Sequence, residues 1–309
     1  MIERPEWCGE DEPYMRLSYS TLETLQTCER KYQLDKVLSN GAPREESEHF
    51  SFGHGFGAGV ASYMTYGCMD AALLDCWLEY WPIVESEKKT EETCMMLLMR
   101  CQDEMDMLRE DWEVPMFNGQ PACELSFRIN VDATFYYVGY IDVVLQHKTT
   151  GQLAVLEVKS TGMQLADLTP LYKNSGQAIG YSIVLDAIAG EDQAEYKVTY
   201  LVGQLGRDIW GDSTRAHIMP FAKTVLDRLN WFMSLSLDVA HMHEMAELGI
   251  YPKRGGACLS YMKPCQHFGV CGIHAADKNK VLTERDDIEY QFVYNLDDLI
   301  ENHLRRIGA

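Results

Sequence analysis

A short apolar stretch that carries two opposite charges places the strongest constraint on this chain. Residues Leu153–Lys159 follow a turn signal at 148–151 and are aliphatic apart from Glu157 and Lys159, which predicts a buried strand. Glu157 and Lys159 are two residues apart, so their side chains point to the same face of that strand. Burying a charge is costly unless the charge is paired, bound to a metal or used in chemistry. The stretch therefore predicts a functional site on one face of a sheet.

The composition limits the class of protein. The chain has 309 residues, of which 46% are hydrophobic and 24% are charged, as in soluble globular proteins. No apolar run reaches the ~20 residues that span a bilayer, and the first residues do not have the pattern of a secretory signal. We therefore expect a cytoplasmic protein without a membrane segment. The formal net charge of −20 argues against a general nucleic-acid coat protein, because phosphate binding depends on Lys and Arg. An enzyme with a local basic channel remains compatible with it.

Helical patterns dominate the first third of the chain. A capping-box pattern from Ser20 to Glu23 predicts a helix over about 20–37. The glycine-rich segment 51–60 predicts close backbone approach, with a helix beginning within it or just after it. It contains His54, a candidate metal or phosphate ligand that is equally well explained as a histidine in a glycine-rich turn. Apolar residues at helical spacing predict a helical lobe, inserted at 60–118 ahead of a β core.

From Cys123 the hydrophobic period changes from helical spacing to two, which predicts three sequential strands in an antiparallel meander. A helix and a further strand follow, and a helix between two strands predicts a parallel crossover. A long helix and a tail or peripheral helix end the chain. The fold class is therefore α/β, with a mixed sheet flanked by helices. The first three predicted strands are 123–131, 135–145 and 153–158, and the fourth is 195–202. The predicted helix between the third and fourth strands is about 174–189, the long helix is 221–248 and the tail is 276–309.

Two acidic residues in neighbouring predicted strands suggest a cation site. Asp142 interrupts the apolar run 140–145, as Glu157 does in the next strand. Two converging carboxylates can bind Mg²⁺ or a similar hard cation. Such a cation lowers the pKa of bound water, and a nearby lysine such as Lys159 can offset developing negative charge. The alternative is a pair of half-exposed strands with ordinary surface charges.

Together, these motifs resemble those of a known family. The elements Gly139–Asp142, Glu157–Lys159 and Gln177–Tyr181 are similar to the Asp, Glu-x-Lys and Gln-x-x-x-Tyr motifs of RecB-type nucleases in the PD-(D/E)XK superfamily. The resemblance implies a restriction-endonuclease-like fold and a metal-dependent DNA nuclease. It implies that Asp142, Glu157 and the Val158 carbonyl bind Mg²⁺ or Mn²⁺ and that Lys159 is the catalytic lysine. Gln177 and Tyr181 would contact the substrate or steady the site, and Glu124 corresponds more weakly to an acid on the preceding strand.

Four cysteines extend the resemblance to the two ends of the chain. Ten cysteines without a secretory signal predict reduced thiols, and metal or cluster binding is the usual reason for clustering among them. By itself Cys28 is best explained as a core residue. The resemblance groups it with Cys258, Cys265 and Cys271 as ligands of a 4Fe–4S cluster, as in the AddB nuclease domain and the CRISPR-associated adaptation nuclease. Structural Zn²⁺ is the alternative occupant, with His267 and His274 as substitute ligands.

The sequence departs from the family at two places. Six residues separate Cys258 from Cys265, where related proteins have two. The family pattern Phe-Gly-x-x-x-His begins here at Phe52, but Gly57 stands at the histidine position, so His54 would have to supply that metal ligand.

The resemblance implies one nuclease domain over 1–309 that acts on DNA single strands or duplex ends, with exonuclease action favoured. A helicase or recombination protein would be its partner, in a bacterial or phage-infected cell. A nuclease-like accessory protein that cuts nothing is the main alternative, and an acidic electron-transfer protein is the third. The predicted parts are a cluster-binding module at 18–40 with 250–275, the insertion at 60–118, the nuclease core at 119–249 and the tail at 276–309.

Overall fold

A computed structural model describes residues 4, 8–9, 12–38, 48–80, 90–189, 195–205, 215–260, 263–269, 271–272 and 288–306. The chain divides into two units. The first unit comprises 1–44, 126–139 and 229–309, and the second comprises 45–125 and 140–228. The Asp, Glu-x-Lys and Gln-x-x-x-Tyr motif residues belong to the second unit, apart from Gly139. The four predicted cluster cysteines belong to the first.

The described residues form strands and helices in an alternation typical of an α/β protein. The strands are β1 Met15–Leu17, β2 Trp112–Glu113, β3 Met116–Phe117, β4 Gln120–Pro121, β5 Cys123–Asn130, β6 Phe135–His147, β7 Leu153–Thr161, β8 Glu195–Gln204, β9 Arg215–Thr224, β10 Leu259–Ser260, β11 Lys263–Pro264 and β12 Phe292–Asn295. The α-helices are α1 Tyr19–Thr27, α2 Glu29–Tyr32, α3 Glu48–Tyr66, α4 Met69–Glu79, α5 Glu91–Arg100, α6 Gln102–Asp111, α7 Leu165–Lys173, α8 Gly176–Ala189, α9 Val225–Leu248 and α10 Leu296–Arg306. None of the described helices is both long enough and apolar enough to cross a membrane.

The sheet of the second unit is mixed, as predicted. Strand β7 pairs antiparallel with β6 and parallel with β8, and β9 pairs antiparallel with β8. The parallel pair is joined through α8, which packs against β7. The predicted crossover connection is therefore confirmed, and it places β7 between two neighbouring strands.

Helices α3 to α6 share a hydrophobic core with this sheet. Phe52 and Phe56 of α3 are buried in one cluster with Val143, Leu156 and Leu201 of the strands. The segment predicted at 60–118 thus packs on the sheet, and its description as an insertion stays a prediction.

The glycine-rich segment lies inside α3, where the sequence predicted a turn or a helix start. A Cβ atom at Gly55 would stand 3.0 Å from the carbonyl oxygen of Cys76, and one at Gly59 would stand 3.2 Å from that of Ala72. These two glycines are needed because α3 and α4 approach each other closely. Burial of the helix outweighs the low helix propensity of glycine.

Both ends of the chain contribute strands to the first unit. Strand β1 pairs parallel with β6 at Met15 and Phe135, and β12 pairs parallel with β5 at Phe292 and Phe127. Part of the predicted tail is therefore a sheet strand followed by a helix, α10. His274 and residues 276–287 lie outside the described residues.

Two predicted helices have different boundaries. The helix predicted at 20–37 is interrupted at Cys28, whose extended backbone separates α1 from α2. Ser18, not Ser20, caps α1, because its side chain accepts a hydrogen bond from the backbone of Thr21. The helix predicted from 221 begins at Val225, since the preceding four residues belong to the unpredicted strand β9. Helix α7 was also not predicted.

Candidate active site

The two predicted acidic ligands lie on adjacent strands of the second unit. Val143 of β6 pairs with Leu156 of β7 in antiparallel register, so Asp142 and Glu157 stand opposite each other one residue further along. Opposite residues in an antiparallel pair share a face of the sheet. At this point the backbone N–H of Val158 donates to Oδ2 of Asp142, at 2.8 Å. The register therefore brings the two carboxylates together, as the sequence predicted.

Glu157 is fully buried, and only one of its two carboxylate oxygens has a hydrogen-bond partner among the described residues. Its Oε1 accepts a hydrogen bond from Nζ of Lys159 at 2.5 Å, and its exposed fraction is 0%. Its Oε2 is buried and has no hydrogen-bond partner among the described residues. Desolvation and the neighbouring Asp142 raise the pKa of Glu157 to about 8. A buried carboxylate oxygen without a donor is costly unless a proton or a cation occupies its position.

Lys159 is the cation of the site. Burial by itself would lower the pKa of Lys159, but the carboxylates of Glu157 and Asp142 outweigh it and raise that pKa. The side chain remains 33% exposed, so it is both charged and open to solvent. A charged, accessible ammonium beside two carboxylates can contact an anionic substrate.

Asp142 is more accessible than Glu157. Desolvation raises its pKa, while Lys159, the Val158 N–H and His54 act in the opposite direction. His54 is exposed on α3, and it lies near enough to Asp142 to affect the pKa of that carboxyl. Within the described residues, however, no three His, Cys, Asp or Glu side chains form a group that could hold a metal ion. His54 as a ligand stays a prediction.

The residues present fit a divalent cation held by two carboxylates. The unpartnered Oε2 of Glu157 and the mutual repulsion of Glu157 and Asp142 both favour a positive ion between them. Mg²⁺ is usually bound by one or two carboxylates together with waters and substrate oxygens. Two carboxylates therefore suffice, and the Val158 carbonyl as a third ligand stays a prediction.

A further carboxylate, Glu124, stands beside this pair in a strained backbone conformation. Its φ angle is 49°, in the left-handed region that costs an ordinary residue about 1–2 kcal/mol. Desolvation, Asp142 and Glu79 raise the pKa of Glu124 to about 7. Strain of this kind often occurs at functional sites. The sequence did not predict that Glu79, the last residue of α4, lies near this site, because many helices end in an acidic residue.

Gln177 and Tyr181 share a face of α8, as their spacing predicted. Nε2 of Gln177 donates a hydrogen bond to the hydroxyl of Tyr181 at 2.7 Å. Tyr181 is buried, with 4% of its surface exposed. Because α8 packs against β7, the pair is carried by the helix beside the Glu-x-Lys strand. Contact of either side chain with substrate stays a prediction.

Three of the predicted cluster cysteines lie on a short hairpin and the turn after it, in the first unit. Strands β10 and β11 pair antiparallel, and the backbone N–H of Cys265 donates to the carbonyl of Cys258 at 2.9 Å. The hairpin therefore brings these two cysteines together despite the six residues between them. Cys271 follows in the next turn, where its N–H donates to the carbonyl of His267 at 2.8 Å.

Cys28 lies near the same segment. The N–H of Arg30 donates to the carbonyl of Pro252 at 3.0 Å, and Glu29 forms a salt bridge with Arg254. All ten cysteines are free thiols. The described side chains nevertheless include no group of three that could hold a metal ion, so the cluster is not preformed by these residues.

The side chain of His267 is held by an acid. Its Nε2 lies 2.6 Å from Oδ1 of Asp35, and this carboxylate also accepts from Gln266 at 2.9 Å. His267 is buried, at 5% exposure. The pair ties the cysteine segment to the short π-helix Gln33–Val37 that follows α2, so a structural role is sufficient to explain it.

The mixed sheet thus carries opposed Asp142 and Glu157 side chains and a lysine two residues beyond the Glu, the arrangement that the Asp and Glu-x-Lys motifs predicted. The family model described as PD-(D/E)XK nuclease superfamily matches residues 16–272. The chain belongs to this superfamily.

A solved structure was also found to resemble this chain in part. A crystal structure of a proposed exonuclease from Eubacterium rectale, at 2.19 Å resolution, aligns with a TM-score of 0.46 and 12% sequence identity. The alignment covers 84% of this chain and 94% of that one. No curated protein sequence matches this chain.

Proposed function

We propose that this protein is a Mg²⁺- or Mn²⁺-dependent DNA nuclease of the RecB type, acting as an exonuclease on single strands or duplex ends. The observation that carries the proposal is the fully buried Glu157, which stands opposite Asp142 and leaves one oxygen without a partner. Membership of the superfamily supports the same chemistry.

Each side chain has a definite part in this mechanism. A divalent cation bound by Asp142 and Glu157 would activate water and polarise the phosphodiester. The Val158 N–H holds the Asp142 carboxylate in place through its 2.8 Å hydrogen bond. Lys159 stays protonated and stabilises the negative charge that develops on the phosphate. Gln177 and Tyr181 restrict the position of the substrate.

A cleavage assay on end-labelled single- and double-stranded DNA, with Mg²⁺ or Mn²⁺, tests this function. We expect cleavage that chelation abolishes, and a loss of at least about 100-fold in Lys159→Ala, as when one stabilising donor is removed. Lys159→Ala should retain DNA binding, whereas Asp142→Asn should also weaken metal binding. Cleavage that is equal in the wild type and in both variants would overturn the assignment.

A nuclease-like accessory protein that binds DNA without cutting it is the second candidate. The net charge of −20 and Gly57 at the family's histidine position favour it. DNA binding without cleavage at any divalent cation tested would decide for this alternative.

We further propose that the cysteine segment is a structural module, binding a 4Fe–4S cluster or Zn²⁺. The hairpin that brings the backbones of Cys258 and Cys265 together supports it, because such groups require several cysteine ligands at one place. Iron, sulfide and zinc analysis of anaerobically purified protein, with a visible absorption spectrum, distinguishes the two occupants. A protein with neither would show that the cysteines serve only packing.

A further inference from the structure

A stacked pair of tyrosines lies on the active-site face of the sheet in the second unit. Glu157 of β7 is paired with Tyr200 of β8 in parallel register, so Tyr200 points to the same face as Glu157 and Lys159. The ring of Tyr172 on α7 stacks on Tyr200, with 4.6 Å between centroids and 16° between the planes. Tyr200 is 1% exposed and Tyr172 is 8% exposed. Tyr172 is therefore the outer member of the stack.

The end of α7 that carries Tyr172 is firmly anchored. Nζ of Lys223 on β9, itself 1% exposed, donates to the carbonyl of Lys173. Asn174 donates from its side chain to the carbonyl of Pro170 at 3.0 Å. Rigid secondary structure positions functional groups more accurately than free loops do.

The phenol of Tyr172 lies in the electric field of the active site. Burial raises the pKa of Tyr172, while the ammonium of Lys159 lowers it and the carboxylate of Glu157 raises it. Both charged groups therefore lie near enough to the phenol to affect its ionisation, in agreement with the stack of Tyr172 on Tyr200. Within the described part of the chain this hydroxyl forms no hydrogen bond, although the ring is nine-tenths buried. The hydroxyl is therefore available to donate a hydrogen bond to a ligand bound on the face of the sheet that carries Glu157 and Lys159.

We propose that the Tyr172 hydroxyl is a further substrate-binding group, which donates a hydrogen bond to a non-bridging oxygen of the phosphodiester held beside Lys159. The proposal rests on the nuclease function proposed above. The stack on Tyr200 holds the ring of Tyr172 in place, and Lys159 supplies a positive charge beside the position of that phosphate. Because the phenol stays neutral, it donates to the phosphate without repelling it.

Tyr172→Phe isolates the hydroxyl, since it preserves the ring and its stack. With a short single-stranded oligonucleotide and Ca²⁺ in place of Mg²⁺, we expect Kd to rise roughly 10-fold, as for loss of a hydrogen bond to a charged group. The melting temperature and Mn²⁺ binding should be unchanged. Tyr66→Phe is the matched control, because Tyr66 is 64% exposed on α3, and it should leave Kd unchanged.

Phosphorothioate oligonucleotides identify the atom that Tyr172 contacts. In the wild type, sulfur at one of the two non-bridging positions should raise the Kd measured with Ca²⁺. In Tyr172→Phe the rise in Kd caused by this sulfur should be smaller, by the same factor by which loss of the hydroxyl raises Kd for the unmodified oligonucleotide. A structural role would leave the penalty equal in both proteins and would overturn the proposal. So would an unchanged Kd in Tyr172→Phe.

The binding measurements separate this proposal from the nuclease function. A wild type that binds but does not cut still tests Tyr172 through Kd, and only the nuclease assignment then fails. A wild type that cuts DNA, with a Tyr172→Phe variant that matches it in every measurement, overturns the Tyr172 proposal alone. A wild type that neither binds nor cuts overturns both. If Tyr172→Phe lowers the melting temperature, Tyr172→Trp provides a stacked ring with a hydrogen-bond donor at a different position. The rise in Kd caused by the phosphorothioate must then also differ between Tyr172→Trp and the wild type.

Discussion

Glu157 is the residue at which burial and function conflict most directly. It is fully buried, pairs with Lys159 through one oxygen and has no donor for the other. A sequence selected only for stability would have an apolar residue here, because a buried ion pair is often no more stabilising than well-packed apolar side chains of similar volume. The cost is explained if the site binds a cation.

The metal-free protein should lose stability as the pH rises from about 5 to about 8. The folded state binds the Glu157 proton more tightly than the unfolded state, since its pKa is raised to about 8. Stability from this group is fully present below its unfolded pKa and is lost as the pH rises towards the folded one. The loss is at most about 1.4 kcal/mol per pH unit for one group. Asp142 and Glu124, with raised pKa values, act in the same direction.

Urea unfolding at several pH values, with a chelator present, measures this loss. Glu157→Gln should show a shallower decrease than the wild type, since the amide cannot titrate. Mg²⁺ should stabilise the wild type more at pH 8 than at pH 5. Parallel pH profiles for the two proteins would contradict this explanation.

At the scale of elements, α3 shows how one helix uses glycine in two different ways. A Cβ at Gly59 would stand 2.5 Å from Cδ2 of Leu98 and 3.1 Å from Cβ of Cys76, while one at Gly53 would meet nothing within 4 Å. We expect Gly59→Ala to lower the free energy of unfolding by about 1–3 kcal/mol through overpacking. Gly53→Ala, the matched control in the same helix, should raise it by up to about 1 kcal/mol. Chemical denaturation of both variants measures the difference, and equal effects would show that α3 does not pack closely on α4.

The cysteine hairpin is an element whose function should be separable from the active site. Cys265→Ser should lower iron or zinc content and the melting temperature, because a bound group contributes to folding. Mn²⁺ binding at Asp142 and Glu157 should persist in the folded fraction. Titration of that fraction with Mn²⁺ checks the separation, and loss of binding in a still-folded protein would refute it.

At the scale of the whole molecule, the charge and the proposed substrate must be reconciled. The chain carries 47 acidic and 27 basic residues, and DNA is repelled by such a surface. Binding must therefore depend on locally basic parts of the surface, and it should weaken as salt increases. We expect a linear single strand to be degraded at least about 10-fold faster than a closed circle of the same sequence, as an exonuclease requires a free end. Equal rates, measured by gel electrophoresis, would indicate endonuclease action.

Several strands and one helix were predictable because their signals are local. The period-two pattern predicted β5 to β7, and the spacing of Gln177 and Tyr181 predicted a shared helix face. The strand β9 was missed because its residues continue into α9 without a break in hydrophobic pattern, and Pro220 argues against a strand unless it lies at a sheet edge.

Residue order by itself determined that Glu157 and Lys159 share one face of a buried strand, because side chains in a strand alternate at a period of two. The position of Asp142 inside the apolar run 140–145 placed it among the candidate ligands. Only the tertiary structure decided that Tyr172 stacks over this face and that Cys258 meets Cys265 across a hairpin. The physical reason is that register and helix packing join residues far apart in the chain, and their energies depend on burial that no local pattern records.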